Sequence, residues 1–180
     1  MLQISVNGIN MLDTETIIIP FAIANGVIYY PPAYQEIRET YGDGFRLIVD
    51  AFFRNKGREL HNGTCIPIKT NEVPVIRKPF GKIPNYKAVL FYYDSGEGLT
   101  QTLLTNILET ARKADIIDFA LPIPRNYYPY ELNERATALI MMESLAPFKV
   151  IYNIHIVLTL SESDAYEVFK EAKLPIEYPR

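Results

Sequence analysis

A chain of 180 residues, 48% of them hydrophobic, is long enough to bury a full core, and one domain is expected over residues 1–180. The formal net charge of -3 and the scatter of the 18 basic residues exclude the electrostatic signature of a nucleic-acid binder, and no apolar run approaches the roughly 20 residues a bilayer span requires. A single cysteine, Cys65, excludes an internal disulfide, two histidines leave no metal site or cofactor to expect, and no secretory leader is read at the N-terminus, so the expectation is a cytoplasmic protein without a membrane partner.

Leu2 to Asn7 alternates apolar and polar residues as a short strand does, and Asn7-Gly8 marks a turn. The continuous β-branched run in Thr16 to Ala22 predicts a strand buried on both faces, ended by Asn25-Gly26. Tyr29-Tyr-Pro-Pro32 reads as a stiff connection, and Gly42-Asp-Gly44, with Asp43 able to cap, precedes a helix packed on the sheet through Phe45, Leu47, Ile48, Val49, Ala51, Phe52 and Phe53. Thr64 to Lys69 reads as a strand that Pro67 places at an edge or bulge, and the proline-punctuated stretch Thr70 to Asn85 as a surface loop. Tyr86 to Tyr93 is a strong strand ending at Asp94-Ser-Gly-Glu-Gly98, and the helical spacing of Leu99, Leu103, Leu104, Ile107, Leu108 and Ala111 defines a helix to about Lys113.

Ile116 to Pro122 is the next strand. Tyr130 to Ala146 reads as a helix with an apolar face of Leu132, Ala136, Leu139, Ile140 and Leu145, stopped by Pro147. Lys149 to Leu160 reads as a long β-branched strand near the sheet centre, and Ser161 to Asp164 caps a last helix to Ala172. The order ββαββαβαβα predicts the α/β class: three layers, α/β/α, around a mixed, mostly parallel central sheet.

This order, with several of its strings, resembles the macro domain family. The similarity is greatest where an apolar strand ends in Ala120-Leu-Pro122, a loop contains Tyr-Pro, a helix of Glu131-Leu-Asn-Glu-Arg-Ala136 type follows, and a final strand and helix close the chain. Gly42-Asp-Gly-Phe-Arg-Leu-Ile-Val49 is similar to the family's glycine-then-helix segment, and Asn62-Gly63-Thr64 to the turn before its next strand. The resemblance implies a macro-domain-like α/β/α fold with an ADP-ribose-type ligand in a cleft at the sheet's carboxyl edge; in some branches of the family it also implies hydrolysis of ADP-ribosyl bonds. Departures mark a divergent member. Asn10 stands where an adenine-reading Asp is usual, Asn25 is the sole counterpart of an Asn-Ala-Ala-Asn string, and Ile123-Pro-Arg-Asn-Tyr127 replaces a Ser-Thr-Gly phosphate loop.

The candidate ligand-binding residues are therefore Asn10, Asn25, Ser95, Gly96, Gly98, Arg125, Asn126, Tyr127 and Tyr128. Asp94 to Gly98 lies between a strand and a helix and can hold an anion on backbone N–H groups, or serve as an ordinary turn. Pro122, Pro124 and Pro129 lack the N–H groups of a phosphate cradle, so either Arg125 engages a phosphate or carboxylate with two hydrogen bonds and Tyr127, Tyr128 and Tyr130 stack on a base or ribose, or the tyrosines pack over the helix start and Arg125 is solvated. No catalytic residue is assigned: His61 lies in a turn, His155 in a strand, and Cys65 has no basic neighbour in sequence to lower its pKa. A non-catalytic binder of a small anionic nucleotide-type ligand is the reading. The alternatives are a protein-interaction module and an ADP-ribosyl hydrolase using non-standard residues; the oligomeric state stays open.

Overall fold

Ile17, Ile18 and Ile19 have no solvent exposure, because the strand that carries them has neighbours on both edges and a helical layer on both faces. A computed structural model describes residues 1–6, 8–56, 60–96, 101–123, 133–158 and 163–178. Within them the strands are β1 (Leu2–Ser5), β2 (Thr16–Ala24), β3 (Val27–Tyr29), β4 (Cys65–Lys69), β5 (Ala88–Tyr93), β6 (Asp118–Pro122), β7 (Asn153–Val157) and β8 (Ile176–Glu177). The helices are α1 (Tyr34–Tyr41), α2 (Gly44–Lys56), α3 (Gln101–Lys113), α4 (Glu134–Leu145) and α5 (Ser163–Glu171).

The strands form an eight-stranded sheet in the order β4-β5-β2-β6-β7-β1-β8, with β3 paired to the outer end of β2. Every pairing from β5 through to β8 is parallel, and β4 is antiparallel to β5, so the expected mixed, mostly parallel sheet is present. Alternating side chains of these doubly covered strands feed two separate cores. Ile4, Ile18, Leu90, Phe119, Ile154 and Ile156 pack under α3, α4 and α5. Ile17, Ile19, Phe21, Val89 and Phe91 pack under α1 and α2 through Ile37, Tyr41, Phe45 and Val49. The three layers predicted from element order are thus α1 and α2, the sheet, and α3 to α5.

Three elements in the structure have no counterpart in the expected order. Asn25 and Gly26, at φ 52° and 74°, turn β2 back into β3, so Asn-Gly makes a hairpin where a strand end was expected. Helix α1 was read as connection because Tyr29 to Pro32 dominates the local composition, yet Tyr34, Ile37, Thr40 and Tyr41 form a buried face at helical spacing. The prolines start that helix, with Tyr34 and Gln35 N–H groups bonded to the Pro31 and Pro32 carbonyls at 3.0 Å each. The two-residue strand β8 is too short to show a period.

Two further expectations are corrected. The buried face of α4 is Thr137, Ala138, Met141, Ser144 and Leu145, so the helix is rotated from the predicted phase, with Ala136 and Leu139 exposed. Its cap explains the start: the Asn133 side chain accepts a bond from Ala136 N at 2.8 Å. Among the described residues the strand expected over Lys149 to Leu160 runs Asn153–Val157, because Lys149 to Ile151 form a turn whose β-branched residues face solvent; Thr159 and Leu160 lie outside the described residues. Pro67 does stand in an edge strand, with its ring exposed.

Candidate functional site

The connections after β2 and β6 leave the sheet on opposite sides. The chain from β2 goes to α1 and α2, and the chain from β6 to α4, although β2 and β6 are neighbours. Adjacent parallel strands whose connections diverge leave a crevice at their carboxyl ends, the usual ligand position in an open α/β sheet. The carboxyl ends of β5 and β7 border it.

Ser95 and Gly96 stand at this edge. The Asp94 N–H donates to the Phe21 carbonyl at 2.8 Å, tying the end of β5 to β2, and the Asp94 carboxylate accepts from Gly96 N at 2.9 Å. Ser95 N donates to the Asn62 side-chain oxygen at 3.1 Å, and Gly96 has φ 91°, which a residue with a side chain rarely adopts. The Ser95 hydroxyl is buried and makes no hydrogen bond with the protein. A buried hydroxyl without a partner carries a desolvation penalty of about 1–3 kcal/mol. Turning the Asp94 carboxylate into its own loop also reduces the repulsion it would present to an anion.

The other candidates divide. Asn25 lies at the tip of the β2–β3 hairpin, beyond the sheet edge. Asn10 is in a 3-10 turn, where its amide donates to the Glu36 carbonyl (3.1 Å) and Thr40 Oγ1 (3.3 Å) and accepts from the Tyr86 hydroxyl (3.1 Å). Tyr86 precedes β5 and Ser95 follows it, so these groups lie beyond opposite ends of a six-residue strand, itself about 20 Å long at the usual rise. The structure therefore does not bring Asn10 to the crevice. Gly98, Arg125, Asn126, Tyr127 and Tyr128 lie outside the described residues.

Sequence reasoning missed a second feature, the cavity of about 380 Å³ between the hairpin, α1 and the start of α2. Tyr30 and Tyr34 stack in its wall with ring centroids 4.2 Å apart, and both hydroxyls are buried without a hydrogen-bond partner. Burial pushes the Tyr34 phenol up to about 12, so it stays a neutral donor. Arg46 and Arg38 line the same cavity, the latter with its Nε 3.3 Å from the Asp43 carboxylate. Tyr30 precedes α1 and Tyr34 opens it, so their stacking depends on the helix that the sequence pattern did not reveal.

Elsewhere, His155 lies on the open end of the sheet face that α1 and α2 cover only in part. It is buried beside Gln3 Nε2 (2.8 Å from Nδ1) and Asn153 Nδ2 (3.4 Å from Nε2), and Asn153 in turn donates to Asp118 at 3.1 Å. Burial lowers the His155 pKa, an effect that Asp118, Glu177 and Asp13 oppose. A histidine whose folded pKa lies below its unfolded value of about 6.5 binds its proton more readily unfolded, so stability is expected to fall as pH drops through that value. Urea midpoints between pH 7.5 and 5.5 check this, and His155→Gln should flatten the decline. Cys65 is held inert: burial pushes its thiol up to about 11, and Sγ donates to the Gly63 carbonyl at 3.3 Å. Among the described residues no cluster of three or more His, Cys, Asp or Glu side chains can hold a metal ion, and no helix is long and apolar enough to cross a membrane.

No protein-family model and no curated protein matches the chain. Solved structures do. A point mutant of the Oceanobacillus iheyensis macrodomain superposes with a TM-score of 0.69 at 16% identity, covering 96% of this chain and 92% of that one. A second mutant of that macrodomain, determined with ADPR, gives a TM-score of 0.66 at 16% identity over 96% and 93% of the two chains. The macrodomain of Mycobacterium tuberculosis DarG gives 0.60 at 14% identity over 87% and 97%. The fold of this chain is that of a macrodomain.

Proposed function

We propose that the chain is a divergent, non-catalytic macrodomain-like module that binds a small anionic nucleotide-type ligand such as ADP-ribose in the crevice at the carboxyl edge of β2, β5 and β6. The observation that carries this reading is the unpartnered Ser95 hydroxyl beside the ordered Asp94–Gly96 turn, at the edge where the diverging connections open the sheet. Likeness of fold to a macrodomain determined with ADPR supports the ligand class. Absence of turnover is proposed because hydrolysis needs a positioned water or nucleophile with an activating group. Cys65 is held as a thiol, and His155 lies on a sheet face, not at this edge.

In this reading the proline-containing segment after β6 cannot supply a backbone cradle, and Arg125 carries the anion. Isothermal calorimetry with ADP-ribose is expected to give saturable binding, and Arg125→Ala to weaken it by about 1.5–3 kcal/mol, the range for hydrogen bonds to charged groups. Unchanged affinity in that variant would remove Arg125 from the site, and the absence of binding by ADP, ADP-ribose and simple phosphates alike would sink the reading.

A further inference from the structure

The amino edge of the sheet, opposite the crevice, displays apolar side chains that the two cores do not use. Residues 70–87 connect the end of β4 to the start of β5, Ile117 directly precedes β6, and Val150 and Ile151 precede β7, so all of them stand at the amino ends of parallel strands. Phe80 is 84% exposed and Val150 88%, with Ile76, Ile83, Ile117 and Ile151 also exposed. Phe80 holds φ 52°, a left-handed backbone that is costly for a bulky residue, in the turn Pro79–Gly81.

That turn is supported from below. Val73 and Tyr86 are buried, the Ile76 and Arg77 N–H groups both donate to the Thr40 carbonyl (2.8 and 3.2 Å), and Gly81 N donates to Lys78 O at 3.0 Å. The base of the loop is thereby anchored and the phenyl ring projects from its apex. The apex of the loop is locally basic: residues 73–87 contain Arg77, Lys78, Lys82 and Lys87 and no acid, with Glu72 just before them. Lys149 adds a fifth cation beside Val150, while Asp13, Glu15, Asp115 and Asp118 are carboxylates that precede or open strands at the same edge.

We propose that this amino edge docks on an anionic membrane surface, with Phe80 and Ile83 entering the interface, the lysines and Arg77 facing the headgroups, and Val150 and Ile151 forming a second point of entry. Phe80 and Ile83 stand in the connection that leads to β5, and Val150 and Ile151 in the one that leads to β7, on the same amino edge. A projecting ring needs a partner that yields around it, which a bilayer interface does without a preformed pocket. Each basic residue close to an anionic leaflet strengthens binding about fivefold, and the inserted ring adds its apolar area. The carboxyl-edge crevice would then face away from the membrane, open to ligand.

The test is flotation of the full chain with phosphatidylcholine vesicles containing about 30% phosphatidylserine, at about 0.1 M salt, against pure phosphatidylcholine. Binding to the anionic vesicles alone is expected. Phe80→Ala should lower the partition coefficient about tenfold, and Lys78→Glu with Lys82→Glu about 25-fold or more, with unchanged circular dichroism since these side chains support no core. No binding to either vesicle, or binding that Phe80→Ala leaves unchanged, overturns the proposal. Self-association of the chain that Phe80→Ala abolishes, without vesicle binding, also overturns it and assigns the face to a second copy.

Discussion

Phe91→Ala is expected to destabilise the protein by about 3–5 kcal/mol, enough to remove a large part of the stability of an ordinary domain. Phe91 is in β5, has no solvent exposure, and is the ring on which the core under α1 and α2 converges. Tyr30 meets it edge-on at a centroid distance of 5.8 Å, Tyr34 at 6.1 Å, and Phe45 at 5.9 Å. Truncation would open a cavity bordered by a sheet strand and two helices, none of which can collapse into it without losing its own ladder or packing. Because Tyr30 and Tyr34 also wall the hairpin cavity, the variant should loosen the β2–β3 hairpin. Equilibrium urea unfolding checks the first effect, and faster amide exchange at Ile28 and Tyr29 checks the second.

Met141→Ala is expected to cost about 2–5 kcal/mol, while Leu139→Ala stays within about 0.5 kcal/mol. The two residues are neighbours on α4 and similar in size, yet Met141 has no exposure and lies among the residues shared with α3 and α5, whereas Leu139 looks outward at 36% exposure. Unfolding midpoints of the two variants therefore read the rotation of α4 directly. Equal losses would mean that the helix lies in the phase expected from Leu132, Ala136, Leu139 and Ile140.

That rotation shows where the sequence stops being informative. The strand β2 was legible because three successive β-branched residues have no use outside a doubly covered sheet, and α3 because five apolar residues repeat on a single stripe. In α4 apolar residues occur all round, Thr137 and Ser144 are buried, and the phase is set by what α3 and α5 leave to be filled, a tertiary fact. Val150 and Ile151 misled for the related reason that β-branched composition marks a strand only where it is buried. The candidate site divides in the same way. The Asp94–Gly96 turn was visible as glycine between a strand and a helix, but the unpartnered Ser95 hydroxyl depends on where Asn62 and Phe21 arrive in space. Asn10 followed from its place after the first strand, and its amide is bound instead between α1 and Tyr86, elements distant in the chain.

The two ends of the sheet bear on how the protein behaves when concentrated. An outermost strand with free N–H and carbonyl groups is a template for another chain, and long flat ones lead to fibres. Here one outermost strand is β4, where Pro67 lacks an N–H in the middle of five residues, and the other is β8, only two residues long. Neither border can extend a continuous ladder into a neighbour. Strand-by-strand growth is thus opposed at both margins, and the outer edge of β3 is only three residues long, so side-chain surfaces are the main route by which copies of this molecule can meet.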